Sequence, residues 1–201
     1  MKLELHQKRF FTKRRIEIKE NKVFYKSSKL SNESEVNVPF EELTNFKESH
    51  IISNFYVLLA SVFLLLFSLV SIISRNDKDS DPRVWKCLTI SFLISSFVYY
   101  VTRENLWKIK VQNGTYLFVY KNIPNKNEVN NFIQLLFEQR DQYLKETYSE
   151  LNRNVSYEAQ LNNLQWLKKV EAINKAEYEK KLEELNSLLN LKQKVVIGFK
   201  K

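Results

Sequence analysis

The chain has 201 residues, with 32 Lys and Arg against 23 Asp and Glu and a formal charge of +9; this length holds one ordinary domain or two small ones and excludes a large multidomain enzyme. Its mean hydropathy of -0.39 resembles that of a soluble protein, yet its longest runs of apolar residues fall between Ile51 and Thr102. A single cysteine, Cys87, excludes a disulfide framework and a thiolate cluster, and two histidines and two glycines exclude most metal and phosphate-loop chemistry.

Residues 1–48 come first, and here Lys8-Arg9-Phe10-Phe11-Thr12-Lys13-Arg14-Arg15 mixes positive charge with two phenylalanines. That composition suits an anionic membrane surface, which makes Lys8, Arg9, Lys13, Arg14 and Arg15 candidate lipid contacts. Solvated strand faces that obey the topology rule would carry the same charge. Nucleic acid is not the expected partner, because the other basic residues are dispersed and no recognition motif accompanies them. Arg15–Lys19 and Lys22–Lys26 alternate in polarity around a Glu20-Asn21 turn and predict an antiparallel hairpin. A third strand is predicted at Glu33–Val38, ending at Pro39, with a single turn of helix over Phe40–Leu43 leading into the membrane.

Residues 51–74 contain no charged side chain, and a helix of this length rises ~35 Å against a hydrocarbon core of ~30 Å. Residues 85–102 predict a second span, with Lys86 snorkelling to the interface and Trp85, Tyr99 and Tyr100 near its ends. Fifty residues precede the first span, which argues against a cleaved signal peptide. Residues 75–84 form the loop between the spans, turning at Asp81-Pro82. Ten basic residues lie within residues 1 to 30 and seventeen from Arg103 onward, so both termini are expected in the cytoplasm. Cys87, Ser91 and Ser95 recur every fourth residue, and Ser61 and Ser68 lie one heptad apart. Small residues at those spacings let helices approach closely, as the hairpin's own seam, as a homo-oligomer seam or as a ligand path.

Residues 105–148 resume the alternation at Leu106–Val111, turn at Asn113-Gly114 and answer with Thr115–Tyr120. A helix over Asn127–Tyr148, capped by Asn125 with Glu128, carries Val129, Phe132, Ile133, Leu136 and Tyr143 on one face. Two or three short strands bury too little surface alone. The two sets are therefore expected to join as one small cytoplasmic sheet, with Ile16, Ile18, Phe24 or Tyr25 packing against Trp107, Ile109, Phe118 and the face led by Phe132. Residues 149–160 read as a linker, residues 161–190 as a short helical hairpin, and residues 191–201 as a basic tail. Asn174 is placed to cap the second helix of that hairpin.

The segments Arg15–Leu43 and Trp107–Leu144, with Gly114, the Pro124-Asn125-Lys126 turn and Phe132, resemble the bacterial pleckstrin-homology-like (PH-like) domains of small membrane proteins. That resemblance implies seven strands closed by a helix, of which about five are predicted. Leu164, Leu167, Ile173, Asn174, Glu177 and Tyr178, followed by Lys181 and Leu185, resemble the short C-terminal domain abbreviated SHOCT. Glu171 stands where that family has glycine. The resemblance implies an interaction or oligomerisation module without catalytic residues, in which Leu164, Leu167, Ile173, Tyr178, Leu182 and Leu185 form the interaction face. A helical hairpin so short is marginal alone and is expected to pack on a partner or another copy.

The expected fold class is thus α+β: a two-helix transmembrane hairpin inserted in a small antiparallel, PH-like sheet domain closed by a helix, followed by a short C-terminal helical hairpin. Catalytic chemistry is not expected, because Cys87 has no histidine nearby in sequence and His6 and His50 stand singly. No cofactor or metal is expected. The functional expectation is a non-enzymatic scaffold in a bacterial inner membrane, binding membrane lipid, an unknown protein partner or its own copies. A channel or transporter accessory subunit and an immunity or envelope-defence protein are the alternatives. The Lys, Asn, Ile and Phe bias is that of AT-rich bacterial genomes.

Overall fold

The computed structural model describes residues 3–30, 32–74 and 83–197. The chain divides into two compact units, one of Met1–Glu48 with Trp107–Lys201 and one of Ser49–Leu106. The class is α+β, with two antiparallel sheets and five helices among the described residues. The first sheet has the order β1 (Glu4–Arg9), β2 (Thr12–Ile18), β3 (Lys22–Lys29), β4 (Asn32–Pro39). The second is β5 (Leu43–Ile52), β6 (Glu104–Val111), β7 (Tyr116–Tyr120).

Among the described residues, seven strands therefore replace the five predicted. Two were missed, β1 and β5, and each has a single buried apolar side chain, Leu5 and Leu43 respectively. Alternation that weak leaves no period to read. The expected helical turn over Phe40–Leu43 is a tight turn instead, closed by Glu42 N–H to Pro39 C=O and Leu43 N–H to Phe40 C=O. Ile51 and Ile52, assigned to the first span, close β5. The helix starts later because the Asn54 side chain accepts the Tyr56 and Val57 N–H groups and so caps it there.

The inward faces follow from strand alternation. Register pairs Ile16 with Tyr25 and Val23 with Val38. Ile16, Ile18 and Tyr25 enter the core and Phe24 does not, since Tyr25 shares the inward face with Val23. Leu117 and Val119 point inward on β7, and Phe118 does not join the core. Those side chains, with Ile18, Phe40, Ile109 and Val111, make one apolar cluster under α3 (Lys126–Tyr148), which contributes Val129, Phe132, Ile133, Leu135 and Leu136. Trp107 packs against the same cluster. Each fully buried Val, Leu, Ile or Phe contributes ~1.5–3 kcal/mol, so segments from the two ends of the sequence hold each other in place.

The turn between β6 and β7 is one residue longer than predicted. Gly114 N–H bonds Val111 C=O and Val111 N–H bonds Thr115 C=O, both at 3.0 Å, enclosing Gln112, Asn113 and Gly114. Gly114 takes the left-handed position at φ 84°, which closes a three-residue hairpin loop with a bulge. The Asn113 side chain fixes it by accepting the Thr115 N–H at 2.9 Å.

In the second unit, α1 (Phe55–Ile73) and α2 (Val84–Thr102) are each 19 residues long and apolar enough to cross a membrane. Their least exposed positions are Val57, Ser61, Leu64, Ser68 and Ser71 on α1, and Trp85, Leu88, Thr89, Phe92, Ser95, Ser96, Tyr99 and Val101 on α2. Steps of three and four residues are the pattern of helices packed as a left-handed pair. Residues 75–82, including the Asp81-Pro82 turn, lie outside the described residues, as do 198–201 of the basic tail; residues 191–197 belong to a helix that begins at Lys175.

Candidate functional site

Arg140 occupies the position on α3 that the apolar spacing 129, 132, 133, 136 would give to a hydrophobic residue. It is fully buried. Its Nε donates to Leu43 C=O at 2.7 Å, its Nη2 to Val170 C=O at 3.0 Å, and its Nη1 to the Asp141 carboxylate. One guanidinium thus ties the start of β5, α3 and the end of α4 (Tyr157–Lys169) together. A planar fork with several donors suits two carbonyls and a carboxylate at once. Burial raises the Asp141 pKa, against the opposing pull of Arg140 and Lys145.

The helical hairpin that Arg140 holds consists of α4 and α5 (Lys175–Ile197). Ser156 caps α4 by accepting the Ala159 N–H, so this helix starts inside the segment read as a linker. Gln160, also from that segment, is buried and bonds Asn152 C=O and Val155 C=O. At its other end α4 closes with Ala172 N–H to Leu167 C=O and Glu171 N–H to Lys168 C=O. This is a Schellman closure, whose penultimate residue is normally glycine. Glu171 takes that place at φ 60°. Asn174 and Glu177 then cap α5 reciprocally, each side chain accepting the other's N–H at 2.9 and 2.8 Å.

The predicted C-terminal interaction face is used inside the chain. Leu164, Leu167, Ile173 and Leu185 are buried in one cluster with Leu144 of α3, and Tyr178 packs at its border. Leu182 is half-buried. Lys145 of α3 bonds Glu177 at 2.8 Å, which holds the Glu177 carboxyl below its ordinary value. A hairpin this short is marginal alone and is expected to pack on a partner or another copy; α3 supplies that surface instead, through Leu144, one residue past its predicted apolar face.

Docking α4 and α5 there leaves a cleft of about 660 Å³ beside β5. It is lined by Thr44, Asn45 and Phe46 of β5, by Lys110 and Gln112, by the buried Arg140, and by Trp166, Lys169, Val170 and Glu171 at the end of α4. β5 is an edge strand, bonded to β6 alone within its sheet. Phe46 on it is 55% exposed. Sequence reasoning missed this site; its one signal was Arg140 on an otherwise apolar face.

The other predicted site residues separate. Ser61 and Ser95 meet on the hairpin seam with hydroxyls 2.7 Å apart, and Ser61 also donates to Val57 C=O. Ser68 is buried there and donates to Leu65 C=O. Cys87 and Ser91 are exposed and lie off the seam, because a four-residue step drifts around a helix whose contact pattern averages three and a half. Among the basic residues, Lys8 and Lys13 face outward from neighbouring strands. Arg14 faces inward, buried beneath the Tyr120 ring at 4.1 Å, and so is corrected from lipid contact to a packing role. Arg15 is bonded to Glu4 and lies 3.5 Å from Glu17.

Among the described residues, no group of three or more His, Cys, Asp and Glu side chains is placed to hold a metal ion. No protein-family model, curated protein or solved structure matches this chain.

Proposed function

We propose that this chain is a membrane-anchored interaction protein without catalytic chemistry of its own. In this reading α1 and α2 cross the bacterial inner membrane, both flanks lie in the cytoplasm, and the sheet and helix unit binds a protein partner or a second copy. Support for placing both flanks on one side comes from their shared core: Ile16, Val23 and Val38 precede the helices, and Ile109, Leu117 and Phe132 follow them. A domain closed from both ends is compatible only with an even number of crossings between its halves. Seven antiparallel strands followed by a helix, and a turn closing on Glu171 where a glycine is usual, favour the PH-like and SHOCT resemblances.

Phe46 carries the assignment of the binding site. It is an exposed aromatic on an edge strand, lining a cleft that Trp166 also lines. An extended segment added to the β5 edge would use its backbone for affinity and its side chains for specificity. Apolar groups would meet Phe46 and Trp166, and acidic groups Lys110 and Lys169. A photo-crosslinker placed at Phe46 in the full chain is expected to give one discrete adduct, of dimer mass or of a heteromeric mass, that the same probe at exposed Asn113 does not give. Monomer alone from Phe46, or the same adducts from both positions, would sink the reading.

A further inference from the structure

The two hairpins of the first sheet end side by side. Arg9 pairs with Thr12 across the first and Lys29 with Asn32 across the second, and Leu30 N–H bonds Phe11 C=O at 3.2 Å. The side chains this brings together are apolar and outward: Phe10 is 47% exposed, Phe11 68% and Leu30 73%. Two of them adopt left-handed backbone conformations, Phe10 at φ 45° and Leu30 at φ 54°. Bulky residues rarely occupy that region, and turns of this kind favour Gly, Asn or Asp. Neither the turn nor the core calls for phenylalanine or leucine here.

Cations surround this apolar tip. Lys8 and Lys13 are directly opposed across β1 and β2 and both exposed, an arrangement that repels in the free protein. Arg9 lies over the Phe10 ring at 5.6 Å, and Lys29 is exposed beside Leu30. Glu33 of β4, near this end, is bonded to Lys26. Three side chains make too small a patch for a stable protein interface, which takes ~800 Å² per partner. Leu30 gives a nucleic acid base nothing to stack on.

We propose that this end of the sheet inserts into the surface of an anionic bilayer. Phe10, Phe11 and Leu30 enter the boundary between headgroups and acyl chains, and Lys8, Arg9, Lys13 and Lys29 contact lipid phosphates. Aromatic and aliphatic tips under a ring of cations bind such surfaces by apolar burial together with charge attraction. The sequence-based contact set is thereby revised: Arg14 and Arg15 leave it, and Lys29 joins with the three apolar residues.

The test uses the full chain with Cys87→Ser and one environment-sensitive fluorophore at Phe11→Cys or Leu30→Cys. The protein is placed in nanodiscs of phosphatidylcholine, with or without phosphatidylglycerol; in a parallel series phosphatidylglycerol vesicles are added to the phosphatidylcholine discs. Unchanged far-UV circular dichroism confirms that these exposed positions tolerate the label. Phosphatidylglycerol, in the disc or in the vesicles, is expected to shift both labels to the blue and shield them from iodide, with no change for a label at exposed Asn21. High salt reverses the shift. Substituting Lys8, Lys13 and Lys29 with Gln weakens vesicle capture about fivefold per cation. Labels that stay aqueous in every lipid overturn the proposal. So does an apolar signal that ignores phosphatidylglycerol and the lysines, which would mean a protein contact. Shielding by single-stranded RNA and not by lipid would overturn it in favour of nucleic acid.

Discussion

The side-chain amide of Gln7 pairs with both backbone groups of Tyr120: Tyr120 N–H donates to Gln7 Oε1 at 2.8 Å, and Gln7 Nε2 donates to Tyr120 C=O at 2.9 Å. One amide side chain from β1 thus imitates a peptide unit and joins the first sheet to β7 of the second. Gln7 is almost completely buried. Gln7→Leu should leave two buried backbone groups unpaired and cost about 2–4 kcal/mol. Gln7→Asn should cost nearly as much, since its amide falls one methylene short. Guanidinium unfolding of the detergent-solubilised full chain measures both, and a loss below about 1 kcal/mol would mean that water replaces the pair.

Arg140 does for the C-terminal hairpin what Gln7 does for the sheets. Arg140→Met keeps much of the apolar stem but strands the carbonyls of Leu43 and Val170, at about 2–4 kcal/mol. The damage should be local. Limited proteolysis is expected to release α4 and α5 by cutting between residues 149 and 156 while the sheet core stays intact. Equal rates of cutting in the variant and the parent would show that the cluster around Leu144 holds the hairpin without the guanidinium.

At Glu171 the backbone works against the side chain. Its left-handed conformation at φ 60° costs a residue with a Cβ about 1 kcal/mol that glycine does not incur. Glu171→Gly should therefore raise stability by about that amount. Glu171→Ala keeps the Cβ and should not. A gain in thermal midpoint shared equally by the two variants would point to the lost charge rather than to the backbone.

The Lys145 and Glu177 contact makes α5 docking sensitive to acid. Glu177 titrates below its ordinary value of 4.5, through the Lys145 hydrogen bond and then the Asn174 N–H. A carboxyl depressed in the folded state contributes in full above its unfolded pKa, and that contribution fades as pH falls through the folded value. The pair is partly exposed, so the effect is small and screened by salt. Thermal midpoints followed by aromatic fluorescence should decline below pH 4.5 more steeply in the parent than in Glu177→Gln. Identical slopes would remove this pair from the acid response.

Most elements that could be read from the sequence are those whose inward positions are apolar; β4, in which Val38 alone is buried, is legible from the stretch that ends at Pro39. β2, β3, β6, β7 and α3 announce themselves by period, and α1 and α2 by uninterrupted hydropathy. β1 does not, because one of its two inward positions is Gln7, a polar residue that is favourable only once Tyr120 is opposite. β5 does not, because beyond Leu43 it is an edge with little to bury. Arg140 falls on an apolar face for a related reason: its partners are backbone carbonyls, which leave no trace in residue type. The basic stretch was legible as charge, but strand parity decided that Arg14 turns inward while Lys13 turns out. Long-range polar pairing is invisible to a reading that counts hydrophobic spacing.

The discontinuity of the first unit also sets a schedule for biosynthesis. β1 to β4 leave the ribosome about a hundred residues before the α3 helix that covers them, an interval of roughly 5–20 s at ordinary elongation rates. Throughout it, Ile16, Val23, Tyr25 and Val38 have no lid, while the chain's most apolar stretch is being delivered to its destination. A nascent chain in this state exposes a half-built core, and its completion reports that both intervening helices have been made. Any arrest between α1 and α2 leaves a sticky four-stranded fragment behind, a natural substrate for quality control.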